Sequence, residues 1–402
     1  MSEWKEYKLG EFFKVKHGFA FSGKYISEEK SENILVTPGN FKIGGGFKSD
    51  KYKYYQSKDF PSDYILKEGD IVVTMTDLSK DTDTLGYSAK IPNVANNFYL
   101  HNQRIGLLQF KANIEVSKEF IYWLLRTREY QGYIVGSASG TSIMHTSPSR
   151  IEDYECLFPP LPEQHAIASV LSSLDDKIDL LHRQNATLEK MAETLFRQWF
   201  VEEAKEEWEE ILITELFEVK DGTHDSPKEK EFGKKLITSK HLSGNSIDFN
   251  SAYYISDENY QQINQRSKVD TGDILFSMIG TIGRIYLEQS DEVNYAIKNI
   301  GLFKTSQNLI WTYFTFLWLK SSIGEEFIHE YRSGSTQEYI ALGNLRSIVF
   351  KVPTISRVEE FYNLVAPYFN KIKSNQQQIR TLTSLRDTLL PKLMSGEVKV
   401  EM

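Results

Sequence analysis

Cys156 is the only cysteine in the chain, so no disulfide can form within it, and a reducing, cytoplasmic setting is expected. The eight histidines fall at no metal-ligand spacing and Cys156 has no Cys or His beside it, which argues against a structural zinc or any other metal site. Long apolar runs are missing as well. The longest, such as Trp311–Leu319, fall well short of the ~20 residues of a membrane span, and no signal-peptide pattern opens the chain, so no membrane partner is expected. There is no G-x-x-x-x-G-K-[ST] phosphate loop and no G-x-S-x-G elbow. Gly44-Gly45-Gly46 lacks the flanks of a nucleotide site and reads as a hairpin turn. An adenine methyltransferase needs Asp or Asn before Pro-Pro, whereas the only Pro-Pro here stands in Phe158-Pro159-Pro160-Leu161. No spaced acidic cluster with a lysine marks a nuclease. The chain is therefore expected to catalyse nothing by itself and to bind no cofactor.

The 402 residues suffice for two to four domains, and 40% hydrophobic with 25% charged residues is ordinary globular material. A net charge of −8 argues against coating nucleic acid by bulk charge, but leaves room for local basic surfaces. Lys42, Lys48, Lys51, Lys53 and Lys58 cluster with Tyr52, Tyr54 and Tyr55. A second cluster holds Lys228, Lys230, Lys234, Lys235 and Lys240, diluted by Glu229 and Glu231. Part of the negative balance comes from the glutamate-rich run Glu202–Glu210.

The chain repeats itself. Residues 3–18, EWKEYKLGEFFKVKHG, align without a gap on residues 207–222, EWEEILITELFEVKDG, with eight of sixteen positions identical, Gly18 and Gly222 among them. Gly69-Asp70-Ile71 matches Gly272-Asp273-Ile274, Ile105-Gly106-Leu107 matches Ile300-Gly301-Leu302, and Ser139-Gly140 matches Ser333-Gly334. A period near 200 residues is too long for a solenoid unit and fits a duplicated domain plus helix. Each half opens with short strand-like pieces between turn residues, continues with an amphipathic helix (Lys118–Arg126, Trp311–Lys320), and passes a Ser/Gly-rich loop into a long helix.

The first long helix is expected from Pro162 to about Phe200. Leu171, Leu174, Ile178, Leu181, Asn185, Leu188, Ala192, Leu195 and Trp199 follow alternating three- and four-residue steps, the seam of a coiled coil with one polar layer. The second, from Glu359 to about Leu393, repeats the seam through Phe361, Val365, Tyr368, Ile372, Asn375, Ile379, Leu382, Arg386 and Leu389. Halves related by a pseudo-twofold would pair these helices antiparallel. Setting Asn185 against Asn375 then fixes the register and brings Trp199 to Phe361, while Arg386 falls opposite Leu174 as a misfit. At ~1.5 Å per residue, 30 residues span ~45 Å, the scale of the ~34 Å turn of duplex DNA.

Polar loops recur at equivalent places in the two halves, made of residue types that bond base edges and phosphates. In the first half they carry Thr76, Ser79 and Lys80; Asn102, Gln103 and Arg104; and Ser139, Thr141 and Ser142. In the second they carry Ser277, Thr281 and Arg284; Lys298 and Asn299; and Ser335, Thr336 and Gln337. With Lys48, Lys51, Lys228 and Lys240 from the basic clusters, these are the candidate DNA-binding residues. Arg104 and Arg284 suit guanine, and Asn102, Gln103 and Gln337 suit adenine. The same residue types also serve as plain turns and caps.

These features resemble the specificity subunit of a type I restriction–modification system. The duplicated start, GDILFSMIGTIGR (Gly272–Arg284), the SGT and SGST loops, FPPLPEQHAIASVLSSLDDKIDLL and the closing LRDTLLPKLMSGEV carry the likeness along the whole chain. The resemblance implies an α+β protein of two duplicated, mainly-β target-recognition domains with small helices, separated by two long antiparallel coiled-coil helices. Its expected divisions are a first recognition domain (1–160), a central spacer helix (161–203), a second recognition domain (204–354), and a distal spacer with tail (355–402). It further implies double-stranded DNA as ligand, one part of a bipartite site per domain. Two methyltransferase subunits and the restriction/translocase subunits are the implied partners, with S-adenosylmethionine, ATP and magnesium held on them. The second half departs from the pattern, with Val352–Glu360 (VPTISRVEE) where the first has PPLPEQHAI. The alternatives are a recognition subunit of another modification system, a coiled-coil adaptor joining two ligand-binding domains without DNA, and an enzyme of unrecognised chemistry.

Overall fold

The protein is described by a computed structural model over residues 4–77, 79, 82–93, 97–140, 143–335 and 337–401. Its packing divides into two compact units, residues 1–179 with 380–402, and residues 180–379. The long helices run over Leu161–Arg197 and Ile355–Met394. Each unit thus holds part of both helices.

In the first unit, strand Lys5–Lys8 pairs antiparallel with Glu155–Phe158. A four-stranded antiparallel sheet follows the order Phe13–His17, Ile105–Phe110, Ile71–Thr74, Ser88–Lys90. Ile71–Thr74 is buried at every position, as its unbroken apolar run requires of a strand covered on both faces. A five-stranded sheet contains the parallel pair Asn33–Val36 and Phe98–His101. Helix Lys118–Leu124, N-capped by Ser117, is buried over Phe120–Leu124 and packs on the first long helix, where Trp123 Nε1 donates to Ser172 Oγ at 2.9 Å.

The second unit repeats this plan. Glu209–Leu212 pairs with Val349–Val352, and the four-stranded sheet runs Val219–Asp221, Ile300–Phe303, Ile274–Ser277, Ile285–Leu287. Strands Lys234–Thr238 and Tyr295–Lys298 form the parallel pair. Helix Thr312–Lys320 stacks Tyr313 on Phe369 of the second long helix at 4.3 Å. The halves differ where the second inserts helix Asp257–Ser267 and the first has a 3-10 turn, Ser62–Tyr64, with strand Ile65–Leu66.

The residues shared by the two halves are those the fold strains most. A β-carbon on Gly18 would stand 2.0 Å from Asn102 O, and one on Gly222 2.5 Å from Ile297 O, so neither tolerates a side chain. Asp70 and Asp273 close identical turns, accepting from Lys67 N at 2.8 Å and Asp270 N at 2.7 Å. The cap after the first parallel strand also recurs: Thr37 N donates to Asn40 Oδ1 and Thr238 N to His241 Nδ1, both at 2.9 Å. The Gly44–Gly46 run forms a turn with all three φ angles positive, passing so close to Arg126 that only glycine fits at 45.

Within the second unit the long helices lie antiparallel. Asn375 is fully buried and donates from Nδ2 to Asn185 Oδ1 at 2.8 Å, and farther along Trp199 meets Phe361 at 5.8 Å. Arg357 covers the outer face of Trp199 at 3.6 Å. The buried stripe is wider than the predicted seam. Phe196 and Phe200 are buried too, Phe196 lying 5.2 Å from Phe314 and Phe200 4.9 Å from it, and the helix closes in a π-helical turn over Gln198–Glu202. Truncating such a buried Phe costs about 3–5 kcal/mol.

In the first unit Arg386 is no misfit. It reaches past Leu174 to Asp175, which also takes Arg126 Nη1 at 3.0 Å. Arg126 stacks on Trp123 at 4.3 Å and donates from Nε to Gly44 O at 3.0 Å, so the glycine turn, the end of the short helix and both long helices meet in one network. Burial pushes the Asp175 carboxyl up, but Arg126 and Arg386 outweigh it and hold it below the usual carboxylate range. Asp175→Ala would leave the buried Arg126 guanidinium without a counter-charge and take one of two carboxylate partners from half-buried Arg386, and should destabilise the first unit by about 3 kcal/mol, read as a lower urea midpoint at unchanged slope. An unshifted midpoint would show that the network is inconsequential for stability.

Candidate nucleic-acid interface

The loops that recur in sequence converge in space at one end of each unit's sheets. In the first unit His145 pairs with Thr76 and Met144 with Asp77, so the 139–145 hairpin docks on the 76–79 loop. Arg104 O accepts from Met75 N at 2.9 Å, adding the 102–104 turn to the same group. In the second unit Ile279 pairs with Tyr339 and Ser333 with Tyr339, docking the 333–339 hairpin on the 277–284 loop. Ser277 also lies beside Ile300 in register, next to the turn at Asn299. The caps at Asn40 and His241 leave the same ends of the parallel strands. They bring along Lys48, whose N–H bonds to Asn40 O at 2.8 Å, and Lys51, whose carbonyl accepts from Asn40 Nδ2 at 3.0 Å, in one unit, and Lys240 in the other.

Burial separates the candidates. Thr76, Asn102 and Ser277 were expected to face a ligand but are buried and engaged internally. Thr76 Oγ1 is 3.0 Å from His145 Nδ1; Asn102 Oδ1 accepts from Arg104 N at 3.0 Å; Ser277 Oγ accepts from Arg284 N at 2.7 Å and donates to Thr281 O at 2.6 Å. Asn102 and Ser277 thereby satisfy backbone N–H groups that the sharp loops leave unpaired, whereas the Thr76 hydroxyl is spent on the His145 ring. Arg284 is half-buried and spends Nη1 on Leu242 O at 2.6 Å, so it no longer offers a whole fork to guanine. Ser79 is half-buried and ties Asp77 to the loop: its N–H reaches Asp77 Oδ1 at 2.6 Å, while Thr84 N and Oγ1 each bond Oδ2 at 2.7 Å. Burial raises the Asp77 pKa, but those bonds from Ser79 and Thr84 hold it lowered overall.

Gln103, Arg104, Ser139, Thr281, Ser335, Gln337, Lys48, Lys51, Lys228 and Lys240 are exposed. Among the described residues Arg104, Lys228 and Lys240 enter no ion pair and no side-chain hydrogen bond, the state of a cation open to phosphate or base. Lys298 and Asn299 are half-buried: Lys298 engages Ser226 Oγ, and Asn299 has φ +53°. Lys80, Thr141, Ser142 and Thr336 lie outside the described residues. Three side chains outside the candidate set support these loops. His145 and Tyr339 anchor the docked hairpins, and His224 bonds Asn299 Oδ1 at 2.8 Å. His224 follows the repeat's Gly222 where the halves stop matching, and that divergence was the available signal.

The Pro-Glu-Gln element at the start of the first long helix is structural in this chain. Gln164 is buried, accepts from Ser117 N at 3.0 Å and donates to Pro159 O at 2.9 Å, fastening helix Lys118–Leu124 to the long helix. At the matching place of the second half stands Val358, fully buried, so packing replaces the hydrogen bonds. Among the described residues no group of three or more His, Cys, Asp or Glu side chains is placed to hold a metal, and no helix is long and apolar enough to cross a membrane.

Comparison with known proteins adds the following. The family model for the type I restriction modification DNA specificity domain matches residues 1–190 and again 205–384. The chain is 26% identical over 342 residues to the type I restriction enzyme MjaIX specificity subunit of Methanocaldococcus jannaschii, covering 79% of this chain and 76% of that one. It is 23% identical over 435 residues to the EcoBI specificity subunit of Escherichia coli, covering 99% and 87%. The crystal structure of a type I restriction–modification system S subunit from M. genitalium aligns with TM-score 0.58 at 19% identity over 100% of this chain and 97% of that one, a likeness of fold.

His101, at the start of the 102–104 turn, is fully buried and donates from Nε2 to Ile105 O at 2.8 Å, while its Nδ1 meets no partner. Burial pushes its pKa down to about 4, against about 6.5 in an unfolded chain. The folded value is the lower one, so the unfolded state binds the proton first. Its stabilising contribution is fully present above about pH 6.5 and is lost as pH falls toward about 4. His101→Gln, which keeps a donor for Ile105 O, should therefore lose less stability than the unsubstituted chain between pH 7 and 4.5 in urea unfolding. Parallel losses would remove His101 from the acid sensitivity.

Proposed function

The chain belongs to the type I restriction–modification DNA specificity family, and from that premise we propose that each unit reads one part of a bipartite duplex site. The observation that carries this reading is the convergence, twice, of three equivalent loops at one end of a rigid sheet, with unpaired cations beside them. The halves share the turns and caps that build the loops and differ in what the loops present: Arg104 in one, Asn299 and Lys240 in the other. Equal scaffolds with unequal tips read two unequal half-sites.

The two long helices hold the readers at a set spacing, and their outer faces receive the methyltransferase subunits. Exposed Leu180, Met191, Leu364 and Leu385 on those helices support this, since a strict two-helix pair leaves no reason for apolar residues outside its seam. The chain recognises and does not catalyse. Methyl transfer and restriction belong to the partner subunits, which hold S-adenosylmethionine, ATP and magnesium.

Removing one matched heptad from each long helix should shorten the gap between the half-sites and leave both half-sites unchanged, as read by methylome sequencing of cells carrying the chain with its methyltransferase. A retained gap would refute the ruler. Exchanging the 139–145 hairpin should alter one half-site only, and loss of both would reduce the hairpin to a structural part. Affinity of the assembled complex for its site should fall steeply between 50 and 200 mM salt, by about 10³-fold or more if six or more phosphates are contacted.

A further inference from the structure

In the second unit one half-buried amide is held from several directions. Asn299 is the single-residue connection between strands Tyr295–Lys298 and Ile300–Phe303, and it adopts the left-handed conformation with φ +53°. Its N–H donates to Thr223 O at 3.1 Å and its carbonyl accepts from Ser239 Oγ at 3.0 Å. The side chain is tied as well. Asn299 Oδ1 lies 2.8 Å from His224 Nδ1, and His224 Nε2 lies 2.9 Å from Asp221 Oδ2. Asp221 is buried, and its other oxygen engages Arg266 of helix Asp257–Ser267. That helix is the one inserted in this half alone.

A connection that only joins two strands needs none of this relay, because glycine would take the same φ without strain. Strained conformations and side chains locked by a supporting layer gather where a ligand is read, since a reading group must be placed to within a fraction of an ångström. The first unit makes the equivalent connection with a longer turn, and there Asn102 is turned inward onto Arg104 N. The relay therefore belongs to one reader only, as a device for base choice must. One hydrogen bond to His224 leaves the opposite edge of the amide with an N–H and an oxygen lone pair, the pattern that matches N7 and the N6 amino group of adenine in the major groove.

We infer that Asn299 reads an adenine in the half-site of the second unit, with His224 and Asp221 as positioning residues, an inference that rests on the DNA-reading function proposed above. Lys240, exposed beside Ser239, is placed to take an adjacent phosphate.

The test is selection from a randomised duplex pool by the full chain assembled with its methyltransferase, comparing the unsubstituted chain with Asn299→Gly and His224→Ala. Glycine accepts the left-handed φ, so folding is not at stake in the first variant. The unsubstituted chain should select two fixed half-sites. Asn299→Gly should lose its preference for adenine at one position of one half-site by about ten- to a hundred-fold, every other position being unchanged. His224→Ala should loosen the same position to a smaller degree. An unchanged adenine preference, or uniform weakening across the whole site, overturns the inference while leaving the DNA-reading function standing. An unsubstituted chain that selects no two-part site overturns that function and the inference with it.

Discussion

Two helices of 37 and 40 residues carry apolar stripes that water will not tolerate, and covering those stripes is the constraint on which everything else depends. Each helix covers the other along a seam, and each is also claimed by the recognition units. The helices are thus both partner and floor: Trp123 and Arg126 rest on them in the first unit, Tyr313, Phe314 and Lys320 in the second. The Asn185–Asn375 bond, like the Arg386–Asp175 pair farther along, is a polar contact within the seam, and a bond of this kind favours a single register among the apolar alternatives.

The two units solve one packing problem with different chemistry. In the first, the base at the end of the short helix (Arg126) meets Asp175 of the helix that follows its own domain, with Arg386 completing the charge balance. In the second, Lys320 meets Glu189 and Glu193 of the other long helix, and stacked aromatic rings supply what hydrogen bonds supply in the first. Burial of charge is costly unless it is paired, so each substitution of this kind needed its partner to change with it. The common scaffold survives because the glycines and aspartates that build its tight turns stayed.

Under the proposed DNA-reading function, reading and holding are divided between residues that look alike in sequence. A serine or threonine in a sharp loop either presents its hydroxyl outward or spends it inside the protein, and Ser277 and Thr76 do the latter, Ser277 on the Arg284 backbone and Thr76 on the His145 ring. Exposed Arg104 stands on backbone tied by the Asn102 amide, and half-buried Asn299 on backbone tied to Thr223 and Ser239. Rigidity near the reading edge is what allows a hydrogen-bond donor to tell one base from another.

Sequence alone determined the duplication, the identity of the two long helices, their antiparallel register and the three recurring loops. Those follow from local rules: a seam of nine positions in each helix, a glycine before an aspartate and a repeated Ile-Gly-Leu are patterns of neighbours along the chain. Tertiary structure decided the rest. Whether Arg386 is a misfit depends on Asp175 and Arg126, and whether Thr76 reads or holds depends on His145, far away in the chain. His224 drew no notice as a single residue in a divergent loop, and gains its meaning only when folding sets it between Asp221 and Asn299. Exposure and hydrogen-bond partners of a loop residue are set by contacts distant in sequence, and no periodicity within the loop encodes them.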